Sequence, residues 1–258
     1  MNREELLQML EQLGKVPSVE LKMNVPADQR MALSGLGLDA MEGRLREVFF
    51  LDTPDLTLYH GGVVVRARRT QGADDDTVVK LRPAAPEALS PAVRASKSLK
   101  LEMDMTRGSY VVSASLKGSR RAGAVRDAVV GGRPLERLFT KEQRSFFIEH
   151  APAGVGWDGL VPLGPVLVVL LKFVPPGLPR RSTIEQWHYP GEIPLVERST
   201  KTTPQNLLQV FAEGARFLRD HGLSASGTQE PKTRKALEFF ARHHPARSQR
   251  DDQTGRSG

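Results

Sequence analysis

Between Leu99 and Thr106 the chain alternates strictly between polar and apolar residues. Lys100, Glu102, Asp104 and Thr106 fall on one side; Leu99, Leu101, Met103 and Met105 fall on the other. A period of two belongs to a β-strand, whose successive Cβ atoms point to opposite faces. The same period runs through residues 18–25, where Glu20 and Lys22 share the polar face and Pro26 ends the run. Residues 44–51 form another candidate. So do 63–70, with Arg66 and Arg68 together, 77–82, with Lys80 and Arg82 together, and 110–117. Candidate strands continue at 143–149, 164–173, 182–189 and 193–201. Asp52-Thr53-Pro54-Asp55 and Gly61-Gly62 are turn signals between them. About eight short strands spaced this way indicate a sandwich or a closed barrel.

Helical periods are fewer. Residues 3–13 carry Leu6, Leu7, Leu10 and Leu13 on one side, and 204–221 carry Leu207, Leu208, Phe211, Ala215 and Leu218 near one face. Further helices are expected at 27–35, at 231–243 and in part of 122–140. Residues 71–76 read as a hairpin loop whose Asp74-Asp75-Asp76 is a solvated tip, and 83–98 as a loop rich in Pro and Ser. The expected organisation is an N-terminal helix over 1–16, a strand-rich domain over 17–222, a helical extension over 223–245 and a disordered polar tail over 246–258.

Composition narrows the partners. A net charge of +7 favours an anionic partner. Aromatic residues make up only 6% and none are spaced to stack bases, which argues against a nucleic-acid partner. With no cysteine, thiolate metal sites, disulfides and Cys nucleophiles are excluded. The opening residues are charged and amphipathic, unlike a secretory leader. The longest apolar run, Val166 to Leu171, falls far short of the ~20 residues a membrane helix needs. A cytoplasmic protein with no membrane partner is expected; the sequence sets no oligomeric state.

The polar strand faces carry paired full charges: Glu20/Lys22, Arg66/Arg68, Lys80/Arg82, Glu102/Asp104 and Glu197/Lys201. On open sheets such faces simply meet water. In a barrel closed with that face inward they would line a wet, charged tunnel, and the outward apolar faces would need helices to cover them. That inverts an ordinary small barrel, which is filled with side chains.

Several segments together resemble the CYTH superfamily, the triphosphate tunnel metalloenzymes. They are Val19-Glu20-Leu21-Lys22, similar to an E-x-E-x-K signature, the stretch from Phe49 to Leu56, and the stretch from Gly61 to Arg68. Thr77 to Lys80, Leu101 to Asp104 and Leu195 to Lys201 complete the set, so that the resemblance covers roughly residues 18–220. The segments around Glu185-Gln186-Trp187 and Lys232-Thr233-Arg234-Lys235 are similar to a bacterial branch sometimes labelled adenylate cyclase. The resemblance implies an α+β fold: a closed antiparallel barrel of about eight strands forming a charged tunnel, with helices packed outside. It also implies metal-dependent hydrolysis of inorganic triphosphate or a related compound. Two positions depart from the pattern. Ser18 stands where the signature has its first glutamate, and Ser199 follows Glu197 where many members have a second acid. A metal site like the family's would be short of ligands.

Enclosed polyphosphate needs matching cations, since unpaired buried charge is costly. The expected substrate ligands are Lys22, Arg66, Arg68, Lys80, Arg82, Arg144, Lys172 and Lys201. Carboxylates repel phosphate unless Mg²⁺ or Mn²⁺ joins the two. Glu20, Glu102, Asp104 and Glu197 are the expected metal ligands, with Glu185 a weaker candidate because Trp187 shares its face. Glu20 and Lys22 are the expected catalytic pair, serving attack of water on a terminal phosphoryl group. The alternatives are a non-catalytic polyphosphate or triphosphate-binding module, an adenylate cyclase and a basic nucleic-acid binder. Lys232 to Lys235 either extend the anion site or begin an exposed helix, and Trp157 and Trp187 are expected to pack.

Overall fold

The computed structural model describes residues 2–25, 42–222 and 230–245. The helix expected at 27–35 and the tail expected at 246–258 lie outside them. Nine strands close into one barrel: β1 (Ser18–Val25), β2 (Arg44–Asp52), β3 (Val63–Thr70), β4 (Asp75–Leu81), β5 (Leu99–Thr106), β6 (Ser109–Arg120), β7 (Val161–Phe173), β8 (Ser182–His188) and β9 (Leu195–Thr202). Around the barrel the order is β1-β5-β6-β4-β3-β2-β7-β8-β9, and β9 pairs back onto β1. The barrel is mixed rather than antiparallel. β1 runs parallel to β5, Glu20 beside Asp104, while the other neighbours are antiparallel.

The alternating pattern dictates what faces where. Outward residues of β3, β4 and β6, among them Val65, Ala67, Val79 and Leu116, join the largest core cluster. It is covered by three helices: α3 (Pro91–Arg94), α4 (Ala124–Val129) and α5 (Lys141–His150). α2 (Thr57–His60) adds Leu58 to the same cluster. α1 (Arg3–Leu13) lays Met9 over Val19 of β1 and Met103 of β5. α6 (Leu207–Asp220) lays Phe217 over Met23, Ile184 and Val196.

α7 (Lys232–Arg242) does something different. Its Ala236, Leu237, Phe239 and Ala241 pack against Val48, Phe50, Val168 and Trp187. Phe50 pairs with Arg66 and Val48 with Arg68, so these are inward positions. The C-terminal helix therefore closes part of the lumen instead of covering an outer face. A bulge keeps the register inward here. β7 places Leu163 opposite Phe50 and Val166 opposite Val48, one residue too many. Gly164 supplies it with φ +140°, and a Cβ there would lie 2.7 Å from the Val48 carbonyl oxygen.

The segment expected as a strand at 143–149 is helix α5. Thr140 accepts a bond from the Gln143 amide while the Gln143 side chain accepts one from the Thr140 amide. This capping box starts a helix and outweighs the β-like run Phe146-Phe147-Ile148. The buried Gln143 then donates to the carbonyls of Thr77 and Leu116, fixing α5 to β4 and β6.

Candidate functional site: a charged lumen

Residues opposite one another in the ladders share a face, so the register defines the lumen. Asn24 of β1 pairs with Glu197, Lys22 with Ser199, Glu20 with Lys201, and Ser18 with Glu102. Glu197 pairs with Glu185 and Ser199 with Thr183, which pairs with Lys172. On the far side Arg66 pairs with Val78 and Arg68 with Asp76, and Lys80 pairs with Ser115, which pairs with Lys100. The charged faces seen in the sequence thus converge on one enclosed channel.

Asp104 organises one part of it. Its carboxylate accepts from the Lys22 ammonium at 2.8 Å and the Lys80 ammonium at 3.1 Å, with the Arg82 guanidinium at 3.8 Å. Burial would raise the Asp104 carboxyl, but Lys80 and Lys22 hold it far below its ordinary range. The two lysines respond differently. Burial pushes Lys80 down to about 8, with Lys22 and Arg82 repelling it and only Asp104 opposing. Lys22 meets the same burial, yet Asp104 and Glu20, 3.1 Å away, keep it above the ordinary lysine value.

Lys232 organises a second part from outside the strands. Its ammonium donates to Glu185 and sits 2.8 Å from Glu197, two carboxylates that face each other on β8 and β9. Its charge also bears on Glu20, whose carboxyl is lowered against burial by Lys22, Lys201 and Lys232. Burial would raise Glu185, but Lys232 takes it down to about 2. Lys232 itself is raised despite burial, because two carboxylates surround it. The side chain passes over Trp187, whose indole centre lies 5.3 Å from the ammonium.

The third part is a bank of arginines with too few acids. Arg68 is bonded to Asp76 at 2.7 Å. Arg66 and Arg46 both have a buried Nε without an acceptor. Burial, then repulsion from Arg68, pushes the Arg66 guanidinium down to about 9, and the same causes lower Arg46. Lys172 is lowered by burial and by Arg46. A buried guanidinium Nε–H without an acceptor would gain from an incoming oxyanion.

Of the expected ligands, Lys22, Arg66, Arg68, Lys80, Arg82, Lys172 and Lys201 belong to this channel, together with Glu20, Glu102, Asp104 and Glu197. Arg144 does not. It lies on α5 outside the barrel, and its guanidinium donates to the Phe139 carbonyl at 3.5 Å. Asp76 is not a solvated tip but a buried lumen acid, and Asp75 accepts from the Val125 amide. Trp187 packs inside the lumen against Phe50, and Trp157 packs outside against Phe139 and Phe147. Sequence reasoning missed Arg44 and Arg46 on β2 and Lys117 on β6, although Arg44-x-Arg46 has the spacing of Arg66-x-Arg68.

The carboxylates fit a divalent ion only in a restricted way. Among the described residues no three His, Asp or Glu side chains converge as a ready metal cage. Asp104 is committed to three cations, and Glu102 is bonded to Lys201. Glu20, Glu185 and Glu197 instead share the field of one ammonium, which stands where a cation is favoured. One or two of them, with phosphate oxygens and water, satisfy the coordination habit of Mg²⁺.

No family model matches the chain, and no curated protein matches it. Solved structures do. A candidate adenylyl cyclase from Hippeastrum, described as having a dominant triphosphatase activity, superposes with a TM-score of 0.56. It is 20% identical, over 83% of this chain and 93% of that one. A candidate adenylate cyclase from Bacillus halodurans gives a TM-score of 0.58 at 14% identity, over 85% of this chain and 97% of that one. At such identities the likeness is one of fold.

Proposed function

We propose that this barrel, which has the fold of the triphosphate tunnel superfamily, binds an inorganic triphosphate or a related triphosphorylated compound and hydrolyses its terminal anhydride. The observation that carries the reading is the buried, acceptor-free Nε of Arg66 and of Arg46 beside Arg68, inside a closed channel. In this reading Arg46, Arg66 and Arg68 grip phosphate oxygens on one wall while Lys80, Arg82 and Lys22 meet them from the other. A bound Mg²⁺ or Mn²⁺ would supply charge neutralisation and a more acidic water, and Glu20 and Glu197 are the residues to hold it. Glu102 and Asp104 serve instead to position Lys201, Lys22 and Lys80. Glu20 accepts a proton from the attacking water, and Lys22, 3.1 Å away, keeps that carboxylate ionised beforehand.

The fold neighbour with dominant triphosphatase activity supports this reading. The pairing of Glu102, Asp104, Glu185 and Glu197 with Lys or Arg, together with Ser18, favours a second one: a binding module that holds the polyanion without turnover. Among the described residues the cyclase reading has no adenine pocket behind it. Phosphate release and cyclic AMP are measured with inorganic triphosphate, ATP and thiamine triphosphate, with Mg²⁺ and Mn²⁺. Release from inorganic triphosphate that is lost in Glu20→Gln is expected. Thermal stabilisation by triphosphate with no release supports the module, and cyclic AMP from ATP supports the cyclase.

A further inference from the structure

Outside the barrel, between α1, α6 and the β5–β6 hairpin, lies a cavity of about 610 Å³. Its walls are mainly apolar, including Met9, Leu21, Met105, Tyr110, Phe211 and Leu218. Arg198 borders it. This β9 residue alternates with the lumen acid Glu197, so it points outward, and only 7% of it is exposed. Among the described residues no carboxylate pairs with it. Its Nη2 donates to the Ser182 hydroxyl at 2.9 Å, its Cζ lies 5.0 Å from the Phe217 ring centre, and its Nε has no acceptor. Arg180 borders the same cavity and also has a buried Nε without an acceptor.

A buried cation facing an apolar cavity without a counter-ion is expensive. Helix α6 covers it with Phe217 but brings no carboxylate to it among the described residues. Also over the guanidinium is Gly214, whose added Cβ would lie 4.0 Å from Arg198 Nη1. Glycine inside a helix costs about 1 kcal/mol relative to alanine. Two acids border the cavity as well, but Glu5 caps α1 and Glu213 accepts from Gln209, and neither pairs with Arg198.

We propose that this cavity is a second binding site, separate from the tunnel, for a carboxylate carrying an apolar chain. The planar guanidinium of Arg198 takes the head group, with Arg180 beside it, and the chain lies along the Met and Leu walls. The volume suits such a ligand, since small-molecule sites span about 300–1,000 Å³. The proposal does not depend on what the tunnel binds.

Decanoate below its micelle concentration is titrated calorimetrically into the full chain, with decanol and decyl phosphate as comparisons. Saturable 1:1 binding of decanoate is expected, with decanol at least about tenfold weaker. Arg198→Met and Gly214→Leu should each weaken decanoate by at least about tenfold, the first by removing the charge and the second by filling the space over it. Both should still be stabilised by inorganic triphosphate if the wild type is. Absence of wild-type binding, equal affinity for decanol, or unchanged affinity in the Gly214→Leu protein overturns the site. Tighter binding of decyl phosphate overturns the carboxylate assignment.

Discussion

Replacing Lys232 with methionine keeps most of the side-chain length and contact with Trp187 but removes the ammonium between Glu185 and Glu197. The two carboxylates face each other on adjacent strands, where opposed Cβ atoms lie about 5 Å apart. Removing one partner of a buried ion pair costs about 3–5 kcal/mol, because the remaining charge loses its compensation. Taking about 3 kcal/mol, and about 2 °C per kcal/mol for a chain of this size, the variant should melt about 6 °C below wild type at about pH 7. The sign with pH follows from the carboxyls. In the wild type Glu185 is held at about 2, below its ordinary 4.5. Its contribution is therefore present above 4.5 and is lost as pH falls from there toward 2. Without the ammonium, burial and the facing Glu197 raise one carboxyl instead. Native protein then takes up a proton more readily than unfolded chain, so acidification to about pH 5 should narrow the gap. A divalent ion should also stabilise the variant more than the wild type, having lost its competitor for Glu20, Glu185 and Glu197. Scanning calorimetry across pH, with and without Mg²⁺, reads all three effects. A variant that melts with the wild type near neutrality, or whose deficit stays constant on acidification, refutes the reasoning.

Arg66→Met should weaken inorganic triphosphate by about 10- to 100-fold in calorimetric titration, the range for losing a charge-assisted hydrogen bond, while Arg144→Met should leave it within about twofold. If the two variants bind alike, the lumen is not the anion site. Lys80 has its folded value depressed to about 8, so its neutral form dominates above that. Triphosphate affinity should fall as pH rises through about 8, and this group's contribution to stability should rise between about 8 and 10.5, where the unfolded chain binds the extra proton; an affinity flat through this window would disprove the assignment. Gln143→Leu strands the Thr77 and Leu116 carbonyls and should cost about 2–4 kcal/mol in urea unfolding, with little change in triphosphate affinity. A wild-type midpoint would mean that α5 is held otherwise.

Strands were legible where one face is wet and the other dry. β1 and β5 have that contrast throughout and β3 has it from Val65 to Arg68, so their lumen charges could be listed from spacing alone. β2 does not, because its inward face changes character midway, from Arg44 and Arg46 to Val48 and Phe50, where α7 enters. The change hid two arginines inside an apparently apolar strand. Asp76 was hidden by company: three successive acids read as a tip until the ladder sets Arg68 opposite the last of them. Lys232 could be suspected as part of a basic run, but its approach to Glu185 and Glu197 needs the path of the C-terminal helix. Arg144 failed because three apolar residues outweighed a Thr-x-x-Gln start signal in a short window.

The parallel pairing of β1 with β5 has a price in assembly order. β1 lies between a strand from mid-chain and β9, so β1, synthesised before both, cannot find both neighbours until residue 202 is made. Until then β1 and β8 are bare edges, the kind that invite pairing with other chains. A chain shortened past residue 25 would leave β5 and β9 as permanent edges, opening the ring into an eight-stranded sheet with a strong tendency to self-associate.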